Sequence, residues 1–243
     1  MKKAAIIIAV VVVVGAICAV LVLRGWPGVL IGSGNLETEE YASANFTRVE
    51  ISSAFEFEIK QSGSYGINVT ADDNVIDYVQ VTRDGQTLKI RVGGAPRSFR
   101  LVTLKASVTM PELGGLAVSG ACSGTVSNFN STEAVSIAVS GASRVTGDIT
   151  AADIEFDISG ASTVQLEGSA DDMVAVVSGA CTFNLGDFTV NNADVNISGA
   201  STGTINLDGR LDANVSGVST LLYIGDPTMG TIDVSGYSTL REK

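Results

Sequence analysis

The chain has 243 residues with 15 basic and 26 acidic side chains, a formal charge of −11, 6% aromatic residues and no histidine. Without histidine there is no Ser-His-Asp or Cys-His nucleophile, no His-ligated zinc or iron, and no imidazole acid-base chemistry. The acidic balance argues against a nucleic-acid partner, whose phosphates must be neutralised by Lys and Arg, while abundant Val, Ile, Ala, Gly, Ser and Thr favour strands and tight turns.

Met1-Lys2-Lys3 precedes twenty apolar or small residues, Ala4 to Leu23, and Arg24-Gly25-Trp26-Pro27 follows. Twenty residues of helix span about 30 Å, the hydrocarbon thickness of a bilayer. Residues 4–23 therefore read as one transmembrane helix and an uncleaved signal anchor. The alternative is a cleaved signal peptide, whose apolar region is usually shorter and followed by a small-x-small site. The nearest such site, Ala16-Ile17-Cys18, lies inside the run, and bulky Ile17 speaks against lipid attachment at Cys18. Lys2 and Lys3 on one flank, against Arg24 alone on the other, place residues 1–3 in the cytoplasm. Trp26 suits the outer interface. The expected localisation is thus the cell membrane, single-pass, with the bulk extracytoplasmic. Residues 25–243 hold 12 basic side chains against all 26 acidic ones, a net −14. Residues 24–40, with Gly32-Ser33-Gly34-Asn35 and Glu37, Glu39 and Glu40, read as a polar linker.

Residues 41–113 read as an irregular N-terminal β cap with the first coils. Phe46 to Ile51, Phe55 to Ile59 and Thr87 to Val92 alternate apolar with polar residues, as strands do. Asp84-Gly85 marks a hairpin-type turn, and Asp72 to Tyr78 fits a short helix or turn.

From residue 114 to 243 a repeat decides the fold. Its copies are Ser119-Gly120-Ala121-Cys122, Ser140-Gly141-Ala142-Ser143, Ser159-Gly160-Ala161-Ser162, Ser178-Gly179-Ala180-Cys181, Ser198-Gly199-Ala200-Ser201, Ser216-Gly217-Val218-Ser219 and Ser235-Gly236-Tyr237-Ser238. The seven copies are spaced by 21, 19, 19, 20, 18 and 19 residues. Before each stands an alternating strand such as Phe156-Asp157-Ile158, and after it a second short strand such as Thr163-Val164-Gln165-Leu166. A unit of this length cannot bury its own apolar face, so successive units must stack. The expected fold is all-β: a right-handed, single-stranded parallel β-helix, a solenoid of about 19 residues per coil and roughly 29 Å long. A leucine-rich repeat lacks its Leu/Asn pattern here, and a propeller blade would need about forty residues.

Within the motif, Gly supplies the backbone angles of a corner. The following Ala is small enough to tuck inside it, and stacked Ser hydroxyls can form a polar ladder along the column. Seven serines without a base make a ladder, not nucleophiles. Cys122 and Cys181 lie three rungs apart, about 14 Å, too far for a disulfide. They read as Ser substitutes.

The stretches Phe46-Thr47-Arg48-Val49-Glu50-Ile51, Tyr65 to Asn74, Leu88-Lys89-Ile90 and Met110-Pro111-Glu112-Leu113, followed by repeated Ser-Gly-Ala-Ser, resemble the auto-transporter adhesin "head GIN" domain family over roughly residues 33–243. The resemblance implies a β-helical, adhesin-like cell-envelope domain and carries over no catalytic residues. The chain reaches Lys243 without a β-barrel segment, so a membrane-tethered head is expected rather than a self-transporting one.

The functional expectation is a ligand-binding module without catalytic activity, contacting envelope glycans or proteins. The alternative is a structural or sensory envelope scaffold, and the third reading is a polysaccharide-acting β-helix enzyme. No catalytic, cofactor-binding or metal-ligating residue is assigned. The outward carboxylates Glu155, Asp157, Asp194, Asp212 and Asp233 form a strip broken by Val174 and Val176, with no basic residue beside it. It reads as a solvated acidic face rather than a Ca²⁺ site or a catalytic pair. Ser123, Thr163, Thr182, Thr202, Thr220 and Thr239 line one outward column, but too few have a second Thr two residues on to make an ice-binding array. Asn45, Asn68, Asn130, Asn196 and Asn214 each open an Asn-x-Ser/Thr acceptor sequence. Self-association is expected at the terminal rung, around Tyr237 and Leu240.

Overall fold

The computed structural model describes residues 29–94 and 98–243. Two long, mainly parallel sheets of ten and eleven strands face each other across one apolar core, and the only helix among the described residues is the single 3₁₀ turn Ile76–Tyr78. The segment read as a transmembrane helix, residues 4–23, lies outside the described residues, as do residues 1–3 and Cys18. No helix among the described residues is long and apolar enough to cross a membrane.

Each of the seven motifs is a corner carrying the chain from one sheet to the other. Asp153–Ile158 in the ten-stranded sheet, for example, turns through Ser159-Gly160-Ala161-Ser162 into Thr163–Ser169 in the eleven-stranded one. Successive coils stack in register: Ile158 pairs with Val139 before it and Val177 after it. Alternation does the rest. Val139, Ile158, Val177 and Ile197 point inward and are buried, whereas Asp157 and Asn196 between them face solvent. Inward positions also pair large with small. A Cβ at Gly124 would strike the Phe57 ring, and one at Gly203 the Phe183 ring, so each phenylalanine fills space that the neighbouring coil leaves empty.

The corner glycines meet two demands. All seven have positive φ, from 72° at Gly236 to 95° at Gly179. A Cβ at Gly160 would also strike the carbonyl oxygen of Gly141 in the coil before, and the same clash recurs along the column. The close approach lets each coil donate to the last: Ala161 N–H to Gly141 O at 2.7 Å, and Ala180 N–H to Gly160 O at 2.8 Å.

Two expectations about the corner are corrected. The third residue does not tuck inside: Ala121, Ala142 and Ala161 are exposed, which is why Val218 and Tyr237, the latter 90% exposed, are tolerated there. Nor do the first serines form the hydroxyl ladder; Ser198, whose hydroxyl reaches Val177 O at 3.3 Å, is the one bonded across coils. The fourth residue holds that role. Ser143, Ser162, Ser201 and Ser219 are buried, and Ser162 Oγ donates to Ser159 O at 2.8 Å, a carbonyl outside the coil-to-coil ladder. Ser201 Oγ also accepts from Cys181 N–H, Ser219 Oγ from Ser201 N–H and Ser238 Oγ from Ser219 N–H. Cys122 and Cys181 are free, buried thiols in this column, bonded 3.2 Å from Ser119 O and Ser178 O. Burial pushes the Cys122 thiol pKa up despite backbone hydrogen bonds from Phe55 and Ala54 that oppose the shift.

Before the first motif runs an eighth corner without glycine. Arg48–Ile51 turns through Ser52-Ser53-Ala54-Phe55 into Glu56–Gln61, with Ser53 and Ala54 at φ 79° and 66°. These strands pair in parallel with Gly115–Val118 and Ser123–Asn130, so coils precede residue 114. Thr87–Val92 and Leu104–Met110 add another parallel layer. Beyond it the pairing turns antiparallel: Val79–Asp84 closes one sheet and Gly66–Asp72 with Leu36–Glu40 the other. The linker reading is corrected accordingly over residues 29–40, residues 24–28 lying outside the described residues. Val29–Ile31 pairs with Ser98–Arg100, and Leu36–Glu40 is the edge strand of the larger sheet, its charges facing out as an edge requires. At the opposite end, the last strands are Thr228–Val234 and Thr239–Glu242, with Met229, Ile232 and Val234 exposed and Leu240 half-covered.

Gly160→Ala should lower the unfolding free energy by about 2–5 kcal/mol through the strained φ and the collision with the coil below. Ala161→Val next to it should change stability by less than about 0.5 kcal/mol. Urea unfolding compares the two. In the same assay Ser162→Ala should cost about 1–2 kcal/mol by orphaning the Ser159 carbonyl, and Ser162→Cys much less.

Candidate functional site

The outward face of the ten-stranded sheet carries the acidic strip in two columns. Register aligns Glu155, Val174, Asp194 and Asp212 in one, and Asp157, Val176, Asn196, Asn214 and Asp233 in the other. Val174 and Val176 interrupt both at the same coil, half-exposed. The strip does have a basic neighbour, contrary to expectation. Arg210 Nε and Nη2 donate to the two carboxylate oxygens of Asp212 at 2.6 and 2.7 Å, and Thr231 N–H adds a third bond at 2.6 Å. The Arg210 fork, then the Thr231 amide, hold the Asp212 pKa at about 2. Sequence spacing could have shown this pair, because residues two apart on a strand share a face. Among the described residues no cluster of three His, Cys, Asp or Glu side chains is placed to hold a metal ion.

The other outward face carries a groove of 520 Å³ over five adjacent strands at the cap end of the eleven-stranded sheet. Its side chains stand in two rows, as alternation on neighbouring strands dictates. One row runs Thr70, Lys105, Glu56 and Ser123; the other runs Asn68, Ser107, Glu58, Thr125 and Thr146. Strands spaced about 4.8 Å apart make the second row about 19 Å long. Lys105 bridges to Glu56 at 3.1 Å, Glu58 is held by Lys60 at 2.6 Å, and the Thr70 hydroxyl meets Thr38 Oγ1 at 2.7 Å. Charge of both signs thus sits among hydroxyl and amide groups.

Ser123, Thr163, Thr182, Thr202, Thr220 and Thr239 do form one outward column, with Arg144 between the first two. The groove continues that column backwards into the cap. Sequence reasoning missed Asn68, Thr70, Lys105 and Ser107, because nothing in the repeat shows which cap strand lies beside Glu56–Gln61. The five acceptor asparagines are all exposed, and Asn68 lies inside the groove.

The sequence matches the family described as "Putative auto-transporter adhesin, head GIN domain" over residues 45–227. The chain belongs to this family. Among solved structures, a "putative adhesin" from Bacteroides fragilis superposes with a TM-score of 0.82 at 22% identity, covering 88% of this chain and 100% of that one. A "putative adhesin" from Parabacteroides merdae gives 0.68 at 18% identity over 88% and 99%. A "Putative lipid binding protein" from Parabacteroides distasonis gives 0.61 at 20% identity, again over 88% and 99%. At these identities the likeness shows the fold alone. Comparison with curated proteins finds no match.

The Asp212 carboxyl should titrate with a midpoint near 2, and Arg210→Ala should move it up towards 3.8. Because the folded-state pKa lies below the unfolded one, the pair's stabilisation is present above about pH 4 and is lost as pH falls towards 2. Carboxyl-detected NMR titration of the two proteins checks both statements.

Proposed function

We propose that this head GIN domain is a membrane-tethered, extracytoplasmic binding head without catalytic activity. Residues 1–3 lie in the cytoplasm, residues 4–23 span the bilayer, and the groove at the cap end receives an envelope glycan. The observation that carries the reading is the two-row lining of the groove. Its hydroxyls and amides from Asn68, Thr70, Ser107, Ser123, Thr125 and Thr146 offer the donors and acceptors that a polyol needs. Glu56, Glu58 and Lys105 among them suit a sugar bearing amino or carboxyl substituents. Backbone hydrogen bonds across five strands hold these groups in place, so little ordering entropy is lost on binding. The family's adhesin description and the apolar run ahead of the head support the same assignment.

The detergent-solubilised full chain should bind cell-envelope polysaccharide on an array. Thr125→Trp, which fills the groove from an exposed position, should weaken binding at least tenfold, and Thr239→Trp at the far end of the solenoid should not. Retention by envelope protein instead of polysaccharide, or binding indifferent to Thr125→Trp, would sink the glycan assignment.

A further inference from the structure

The triplet Asp72-Asp73-Asn74 serves neither the repeat nor the groove, yet all three side chains are engaged with residues 31–35 or 103. Asp72 is buried and accepts from Gly34 N–H through Oδ1 and from Thr103 N–H through Oδ2, each at 2.7 Å. Asp73 takes the Ser33 hydroxyl at 2.5 Å, while Asn74 donates to Ile31 O at 2.9 Å and accepts from Ser33 N–H at 3.2 Å. This clamp presents apolar side chains to solvent. Ile31, Leu36 and Leu101 are exposed by 51%, 55% and 89%, on three segments tied to the one carboxylate or to each other. Leu101 is also held at φ 51°, so a fully exposed leucine is kept in a backbone conformation that disfavours it. Strain and exposure together at a residue beside the clamp point to use rather than accident.

Chain length says what the tip meets. Only residues 24–28 separate the apolar run from Val29–Ile31, and six extended residue steps from Leu23 to Val29 reach about 20 Å at most. Charge agrees. Residues 29–113, the edge strand included, carry eight basic and eleven acidic side chains, a net −3, whereas residues 114–243 carry four and fifteen, a net −11. The sheet order puts the clamp and the last coil at opposite ends of the solenoid, so a headgroup layer at the clamp end meets the less acidic part, with exposed Arg100 beside Ile31.

We propose that Ile31, Leu36 and Leu101 form an apolar tip that enters the outer face of the bilayer, with the Asp72-Asp73-Asn74 clamp transmitting the anchor to the solenoid. The inference rests on the tethered topology proposed above. The tip acts as a second, shallow contact: the run at 4–23 tethers the chain, and the clamp sets how the head stands.

The test uses the full chain in phosphatidylglycerol-phosphatidylethanolamine vesicles with brominated acyl chains. Trp26→Phe removes the single native tryptophan, and Leu101→Trp or Thr239→Trp supplies the probe. The protein should float with the vesicles. Bromine should at least halve the indole emission of the Leu101→Trp protein and leave that of the Thr239→Trp protein unchanged. Adding Ile31→Asp and Leu36→Asp, both at exposed positions, should leave flotation intact and abolish quenching. Flotation with an unquenched probe at position 101, or quenching that survives the double substitution, overturns the tip while leaving the tether standing. Failure to float overturns the tether and the tip together.

Discussion

Everything in this molecule depends on how closely one corner can lie on the next. The amide after each glycine donates to the glycine carbonyl of the preceding coil at 2.7–2.8 Å, and the absent Cβ is what permits that approach. The bond spaces the coils and stacks the corners. From that spacing follow the register of both sheets, the burial of Val139, Ile158 and Val177 above one another, and the alignment of outward residues in columns. The fourth residue completes the accounting, since its hydroxyl or thiol takes the corner carbonyl that the ladder leaves over. A corner is thus tolerant at its third position and strict at its second and fourth.

A stack of this kind has no natural end, and its two ends are treated differently. At the clamp end the chain switches to antiparallel pairing, and the charged strand Leu36–Glu40 lies at the edge. The same strands create the groove, because Gly66–Asp72 and Leu104–Met110 extend the two outward rows of the repeats with larger and charged side chains. Capping and candidate binding surface are therefore one construction. At the other end the last coil keeps the parallel pattern and leaves Met229, Ile232 and Val234 open to solvent.

The described residues of this protein form broad sheet faces around a filled core. Its concavities are shallow troughs on sheet faces, and the acidic strip on the opposite face is ordered by stacking, with Arg210 and Asp212 paired at one point along it. Such faces suit extended, hydrated ligands met broadside. The proposed apolar tip would fix which way they are presented.

The repeat alone determined the all-β solenoid, the columns of corner residues, the separation of the two cysteines and the outward acidic strip, because a strict spacing of small residues admits few ways to stack. Even the burial of the fourth residue was present in the period-two count, since Ile158 and Ser162 share parity; the expectation of an inward Ala161 ignored it. The corner Ser52-Ser53-Ala54-Phe55 escaped because it lacks glycine, although Ser53 and Ala54 take the positive φ that glycine takes in the other corners. The order of strands in the cap was not legible at all. Thr87–Val92 and Leu104–Met110 lie outside the coil of Arg48–Ile51 and Glu56–Gln61 although they follow it in sequence, so only tertiary structure brings Lys105 beside Glu56 and Asp72 beside Gly34 and Thr103. Local pattern says which face a side chain takes, but which strands become neighbours is set by the long-range burial of the whole core.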